Sequence, residues 1–358
     1  MKTAPLIAAL LLGAALAAVA APTDGFSTTT LVTQATDPDL VNPWGLSSSP
    51  TSPFWVSDNG TGKATLYNSA GVKQGLVVSM PAGGADVTGQ LFNGTASFNG
   101  DVFLFASESG TINGWRGALG TTAETLFSVA GADYKGIAAS TDKSTLYAAN
   151  FTGARIDVFG SAGLTGSFAD PTVPAGYAPF NVQNLGGKLY VTFALAGGKD
   201  DVAGAGHGFV KVFDPVAHTY ATLVSQGVLD SPWGLALAPA GFGALGGDLL
   251  VGNFGDGRIN VFSNAGSFIG ALADAASNPL VIDGLWGLLF GNGGNGGTPN
   301  SLYVSAGPNA ESGGLFARID AVAAPVPEPQ TWALLLGGLA LLAAAGRRRP
   351  RAARATAK

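Results

Sequence analysis

Apolar positions in the middle of this chain come in short runs, and a Gly or a polar turn cuts each run before a 3.6-residue stripe can develop. The runs are rich in Val, Phe, Tyr and Thr, which suits strands better than helices. They also recur. An apolar strand, a polar turn and a second strand appear as FWVSDNGTGKATLY (54–67), LFASESGTINGW (104–115) and LYAANFTGARIDVF (146–159). The unit returns as LYVTFA with HGFVKVF (189–194, 207–213), as LLVGNFGDGRINVF (249–262) and as LYVSAG with GGLFARIDAV (302–307, 313–322). Val56, Ala106, Ala148, Val191, Val251 and Val304 hold one place in the six copies, at spacings of 50, 42, 43, 60 and 53. Periods of this size with several short strands each predict the blades of an all-β, six-bladed β-propeller over residues 21–323.

The pattern also predicts how the ring closes. TLVTQATDPDLVNPWGL (30–46) parallels TLVSQGVLDSPWGL (222–235), so each has an outer strand followed by a Pro-Trp-Gly-Leu inner strand. The sixth copy runs out near Val322 after its third strand, and Thr28 to Gln34 is expected to supply the fourth. Closure of that kind removes an open sheet edge. Blade two lacks a clear Trp-Gly-Leu equivalent before Phe103, and a seventh blade would need a degenerate copy within residues 72–100.

Long apolar stretches occur only at the two ends. Residues 1–20 combine Lys2, an apolar run from Leu6 to Ala18 and the small-residue site Ala18-Val19-Ala20, which predicts a signal peptide cleaved after Ala20. At the other end, Pro327-Glu328-Pro329 lies in a linker (324–330), followed by an apolar stretch (331–346) and a basic tail (347–358) with Arg347, Arg348 and Arg349. At about 1.5 Å per residue the stretch spans roughly 24 Å as a helix, a short transmembrane segment whose Arg cluster stays cytoplasmic. This order resembles the PEP-CTERM sorting signal of Gram-negative bacteria. The resemblance implies processing by exosortase, a membrane-embedded protease-transpeptidase. It also implies delivery to the cell surface or an exopolysaccharide matrix, with membrane attachment through the C-terminal helix before processing. The strand-turn-strand units resemble NHL-type blades, and the whole chain is similar to a group of PEP-CTERM-associated propellers; that likeness implies fold and address, not an activity.

Charge narrows the partners. Residues 22–326 carry 11 basic and 22 acidic side chains, a net −11. Nucleic-acid binding needs clustered Lys and Arg and is therefore excluded. Cys is absent, so closure and packing replace disulfides.

Three groups of residues are candidates for chemistry. Trp44, Trp233 and Trp286 open three inner strands, with Phe180 at the same place in blade four and Lys135 in blade three. The aromatics either ring the channel mouth as a sugar-stacking surface or wedge between blades. Asp58, Glu108, Asn150 and Asn253 end four second strands; their oxygens would suit Ca²⁺, or else they cap turns. The loop 197–208 carries Asp200, Asp201 and His207, as a cation or proton-transfer site or as a solvated Gly/Ala loop.

Hydrolase and zinc-protease signatures are missing, and GNGGNGG (291–297) lacks the Lys-Ser/Thr of a phosphate loop. The expected function is therefore binding or scaffolding, with exopolysaccharide or envelope proteins as partners. The alternative is a metal-assisted hydrolase or lyase working at the central channel.

Overall fold

The computed structural model describes residues 25–322, apart from 216 and 218, together with Leu339. The described residues form 24 strands in six four-stranded antiparallel sheets. Five sheets are continuous: residues 43–79, 87–128, 134–168, 177–225 and 232–271. The sixth takes its three inner strands from 285–322 and its outermost strand from Gly25–Thr33, which pairs antiparallel with Leu315–Val322. The ring thus has six blades, sealed by the beginning of the chain as the repeat pattern requires. Residues 72–100 hold the outer strand of blade one and the inner strand of blade two, Val87–Phe92, so no seventh blade is present.

Every inner strand carries an irregularity at the same place. Its register against the second strand slips between Pro43 and Leu46, Val87 and Gln90, Tyr134 and Gly136, Pro179 and Asn181, Pro232 and Gly234, and Leu285 and Leu288. A bulge leaves one residue out of the ladder and re-aims its side chain. The released residues are Trp44, Thr88, Lys135, Phe180, Trp233 and Trp286. Blade two thus keeps the blade grammar with Thr88-Gly89 in place of Trp-Gly.

The glycine that follows in five of the six blades has a packing reason. A Cβ on Gly89 would lie 2.8 Å from Gly136 Cα and from Ile137 N, both on the next blade's inner strand. On Gly287 it would lie 2.6 Å from Trp44 O. Inner strands approach backbone to backbone around the axis, and glycine permits that distance. Blade four has Asn181 there, and its amide donates to Trp233 O at 2.8 Å.

The expected signal peptide (1–20), the linker, Pro327, Glu328, Pro329, the apolar segment 331–346 and Arg347, Arg348 and Arg349 lie outside the described residues, Leu339 excepted. Among the described residues no helix is long and apolar enough to cross a membrane.

Candidate functional site at the channel mouth

The bulges send four aromatic rings to one point. Trp44 stacks on Trp286 at 3.6 Å between centroids and meets Trp233 and Phe180 edge-on at 6.0 and 6.4 Å. Blades one and four lie across the ring from each other, so these side chains can touch only on the axis. Phe254 stacks on Trp286 at 4.0 Å, and Phe151 packs on Phe180. The four rings are 1–3% exposed. They are neither an open stacking surface nor wedges between neighbouring blades; they form a plug. Beneath it, on the side away from the mouth, is a cavity of about 10 Å³ lined by residues such as Gly45, Gly89, Asn181 and Gly287, room for about one water. Truncating Trp286 to Ala should cost about 3–5 kcal/mol and lower the melting temperature by roughly 6–15 °C. A thermal melt unchanged to within about 3 °C would show that the plug is not a structural element.

Polar groups from several blades gather above the plug. Lys135, on the bulge of blade three and 2% exposed at its side chain, donates to Glu108 of blade two. Its Nζ lies 3.5 Å from Asp133 and 3.7 Å from Asp200, and 5.6 Å from the Trp44 ring. Glu108 accepts from Asn59 at 3.0 Å, Asn59 from Asn42 at 3.3 Å, and Asn42 donates to Glu311 of blade six at 2.6 Å. Asn42 Oδ1 accepts from Trp286 Nε1 at 2.9 Å, and Lys135 O accepts from Trp233 Nε1 at 3.0 Å. The mouth and the plug are therefore one hydrogen-bonded unit. Among the described residues Trp44 Nε1 finds no acceptor, and neither oxygen of the buried Asp133 accepts a hydrogen bond.

Electrostatics fixes what this cluster can do. Burial alone would depress the Lys135 ammonium. The carboxylates of Glu108 and Asp133 outweigh it and hold its pKa above the usual lysine value. A lysine held protonated is neither a nucleophile nor a base. Burial pushes Asp133 up to about 6 against the pull of Lys135. Glu311 is raised by burial, with Glu108, Asp201 and Asp200 adding repulsion. Asp201 is raised by burial as well. The mouth is an acceptor-rich, acidic surface around one fixed cation.

Of the residues singled out as oxygen ligands, only Glu108 takes part in the cluster. Asp58 is fully buried and accepts from Thr65 of its own blade at 2.7 Å. Asn150 donates to Asp157 and accepts from Gly153 N, closing a turn. Asn253 donates to Val228 O and Asp256. The structure does not bring these three together with Glu108. Among the described residues no group of three or more His, Asp or Glu is disposed to hold a metal ion.

The insertion in blade four is ordered by Gly197 N to Asp200 O, Val202 N to Leu195 O and Gly206 N to Leu229 O. It lays Asp200 towards Lys135, whereas His207 turns back onto Val202 O at 2.8 Å. The sequence placed Lys135 at the start of an inner strand but gave no sign of Asp133, two residues before it, or of Glu311, which meets Asn42 only through ring closure.

Comparison with known proteins now adds an address and a family. The PEP-CTERM protein-sorting motif matches residues 325–349. It marks an exported protein of the Gram-negative envelope, processed by exosortase. One uncharacterized protein of Acanthamoeba polyphaga mimivirus is 34% identical over 284 residues, covering 71% of this chain and 69% of its own length. A second from the same virus is 32% identical over 288 residues, covering 70% and 74%. This chain belongs to the same family as these two viral proteins.

Among solved structures, a streptogramin B lyase superposes with a TM-score of 0.53 at 11% identity, covering 83% of this chain and 98% of its own. The virginiamycin B lyase of Staphylococcus aureus gives 0.53 at 10% identity, covering 84% and 100%. At such identities the likeness is one of fold alone. This member of the family is a PEP-CTERM-bearing propeller.

Proposed function

We propose that this PEP-CTERM propeller is a binding protein of the cell surface or exopolysaccharide matrix, held in the membrane by residues 331–346 until exosortase acts, and that its ligand is taken at the acidic mouth. One observation carries the reading. Glu108, Asp133 and Asp200, drawn from three different blades, converge over a sealed channel on Lys135, and Glu311 of a fourth blade joins them through Asn42 and Asn59. Asp200 is open to solvent and Glu108 partly so, and carboxylates at such a rim recognise hydrogen-bond donors and positive charge. A matrix polysaccharide bearing free amino sugars offers both. The metal-assisted hydrolase or lyase has no comparable support, because Asp58, Asn150 and Asn253 are bonded within or beside their own blades.

Titration calorimetry of the full-length protein in detergent, with oligosaccharides bearing free amines and with their N-acetylated counterparts, tests the proposal. The amine form should bind more tightly by about tenfold, a difference of about 1.4 kcal/mol. The double substitution Glu108→Gln with Asp200→Asn should abolish that preference. Equal binding of the two sugars, or none at millimolar concentration, would refute the mouth as a site for amine-bearing ligands.

A further inference from the structure

The two faces of the disc differ in charge, and the chain ends belong to only one of them. Inner strands start at the mouth, because Pro43 pairs with Asp58 and Tyr134 with Asn150, the last residues of their second strands. The connections from an outer strand to the next inner strand therefore lie on the mouth side. Each of the six carries an aspartate: Asp37, Asp86, Asp133, Asp170, Asp230 and Asp283. The turns on the opposite side are built of Gly, Ser, Asn and Ala. Among the described residues, those joining inner to second strands and third to outer strands hold Asp101, Asp142 and Asp248 as acids against Lys73, Arg116 and Lys143, with Glu124, Lys188 and Asp214 at their edges.

The last strand runs from Leu315, opposite Ala306 at the mouth end, to Val322, opposite Gly25. Its far end is fixed on the opposite face: Asp320 accepts from Ser301, in a turn of that side. Phe26 packs on Phe242 at 4.9 Å, and Phe242 packs on Phe290, both at that side. Both tethers, the leader and the sorting tail, thus leave from the face away from the mouth.

We infer that, before exosortase processing, the propeller rests with this near-neutral face against the anionic lipid surface and holds its mouth outward. The inference rests on residues 331–346 acting as an anchor. Eight residues, 323–330, separate Val322 from that segment, and even fully extended they reach at most about 29 Å. The last strand alone is about 27 Å long. Turning the mouth to the membrane would use the whole tether merely to run back along the blade. The acidic mouth is also repelled by anionic headgroups, whereas the opposite face is not.

The chain has no cysteine, so single-cysteine variants report position without background. Lys199→Cys lies exposed in the insertion at the mouth, and Ala265→Cys lies exposed in a turn of the opposite face. The full-length chain is expressed in a Gram-negative host lacking exosortase, and spheroplasts are treated with a bulky maleimide-polyethylene glycol. The mouth cysteine should label about tenfold faster than the other, a 1.4 kcal/mol difference in access, and the two should become equal after detergent solubilisation. Equal or inverted rates in the membrane fraction overturn the orientation and leave the anchor standing. Recovery of the chain in the soluble periplasmic fraction overturns the anchor, and the orientation falls with it.

Discussion

A chain lacking residues 25–33 is expected to fail as a folded monomer. The deletion removes eight paired positions along Leu315–Val322. Each ladder hydrogen bond is worth about 1 kcal/mol net. Phe26 and Val32, 5% and 4% exposed, add about 1.5–3 kcal/mol each through burial. The total is on the order of 10 kcal/mol, comparable to the whole stability of a typical domain. The loss does not stop at the deleted strand. Phe316, Ala317 and Ile319, all fully buried in the wild type, would line an open edge of unpaired backbone, a template for pairing with another chain. Size-exclusion chromatography should show oligomer or insoluble protein, and circular dichroism should show no cooperative melt. A monomer melting within about 5 °C of the wild type would mean that the ring is held by its inter-blade contacts and needs no seam.

That seam was legible in the sequence because it rests on local grammar. Thr28 to Gln34 stands before Pro43-Trp44-Gly45 as Thr222 to Gln226 stands before Pro232-Trp233-Gly234, and a strand seen twice in the same context takes the same partner. Blade two was harder to read. Its inner strand keeps the bulge and the glycine but replaces the aromatic with Thr88, whose hydroxyl donates to Tyr134 O at 2.6 Å. The tryptophan marks the repeat most visibly, but it is absent from three blades, whereas the glycine, which meets a neighbouring inner strand's backbone, is kept in five of the six.

The site was less legible, for a geometric reason. Sequence alignment of the blades assigns a height to each residue, and Trp44, Phe180, Trp233, Trp286 and Lys135 share the bulge position. It does not give the direction of a side chain. Asp58, Asn150 and Asn253 share a strand end with the residue before Glu108, yet they are taken up by Thr65, Asp157 and Asp256 near their own strand ends. Asp200 and Glu311 reach the mouth from a loop in blade four and a turn in blade six, and nothing in the local pattern places Asp200 beside Lys135 or Glu311 beside Asn42.

Lys135→Met is expected to give the largest single-residue effect at the mouth, and an effect that depends on pH. Removing one partner of a buried ion pair typically costs about 3–5 kcal/mol, because the other charge stays buried without compensation. Here the uncompensated group is Asp133, 2% exposed, with no hydrogen bond on either oxygen. Its pKa already stands at about 6, above the ordinary aspartate range. Without the ammonium, the Coulombic pull that lowers it disappears, and it must rise further. A carboxyl whose folded pKa exceeds its unfolded one stabilises fully below the unfolded value, and that stability is lost as pH climbs through the folded value. The deficit of Lys135→Met should therefore be greatest near pH 7.5, roughly 6–15 °C in melting temperature, and should shrink towards pH 5, where Asp133 takes up a proton. Adding Asp133→Asn to the variant should recover much of the loss at pH 7.5, since the neutral amide keeps the shape and drops the charge. Melting curves across pH 5–8 decide the matter. A loss of equal size at both ends of that range would mean that Lys135 contributes through its packing over Trp44 and Phe151 instead, and that the carboxylates around it are solvated well enough to need no cation.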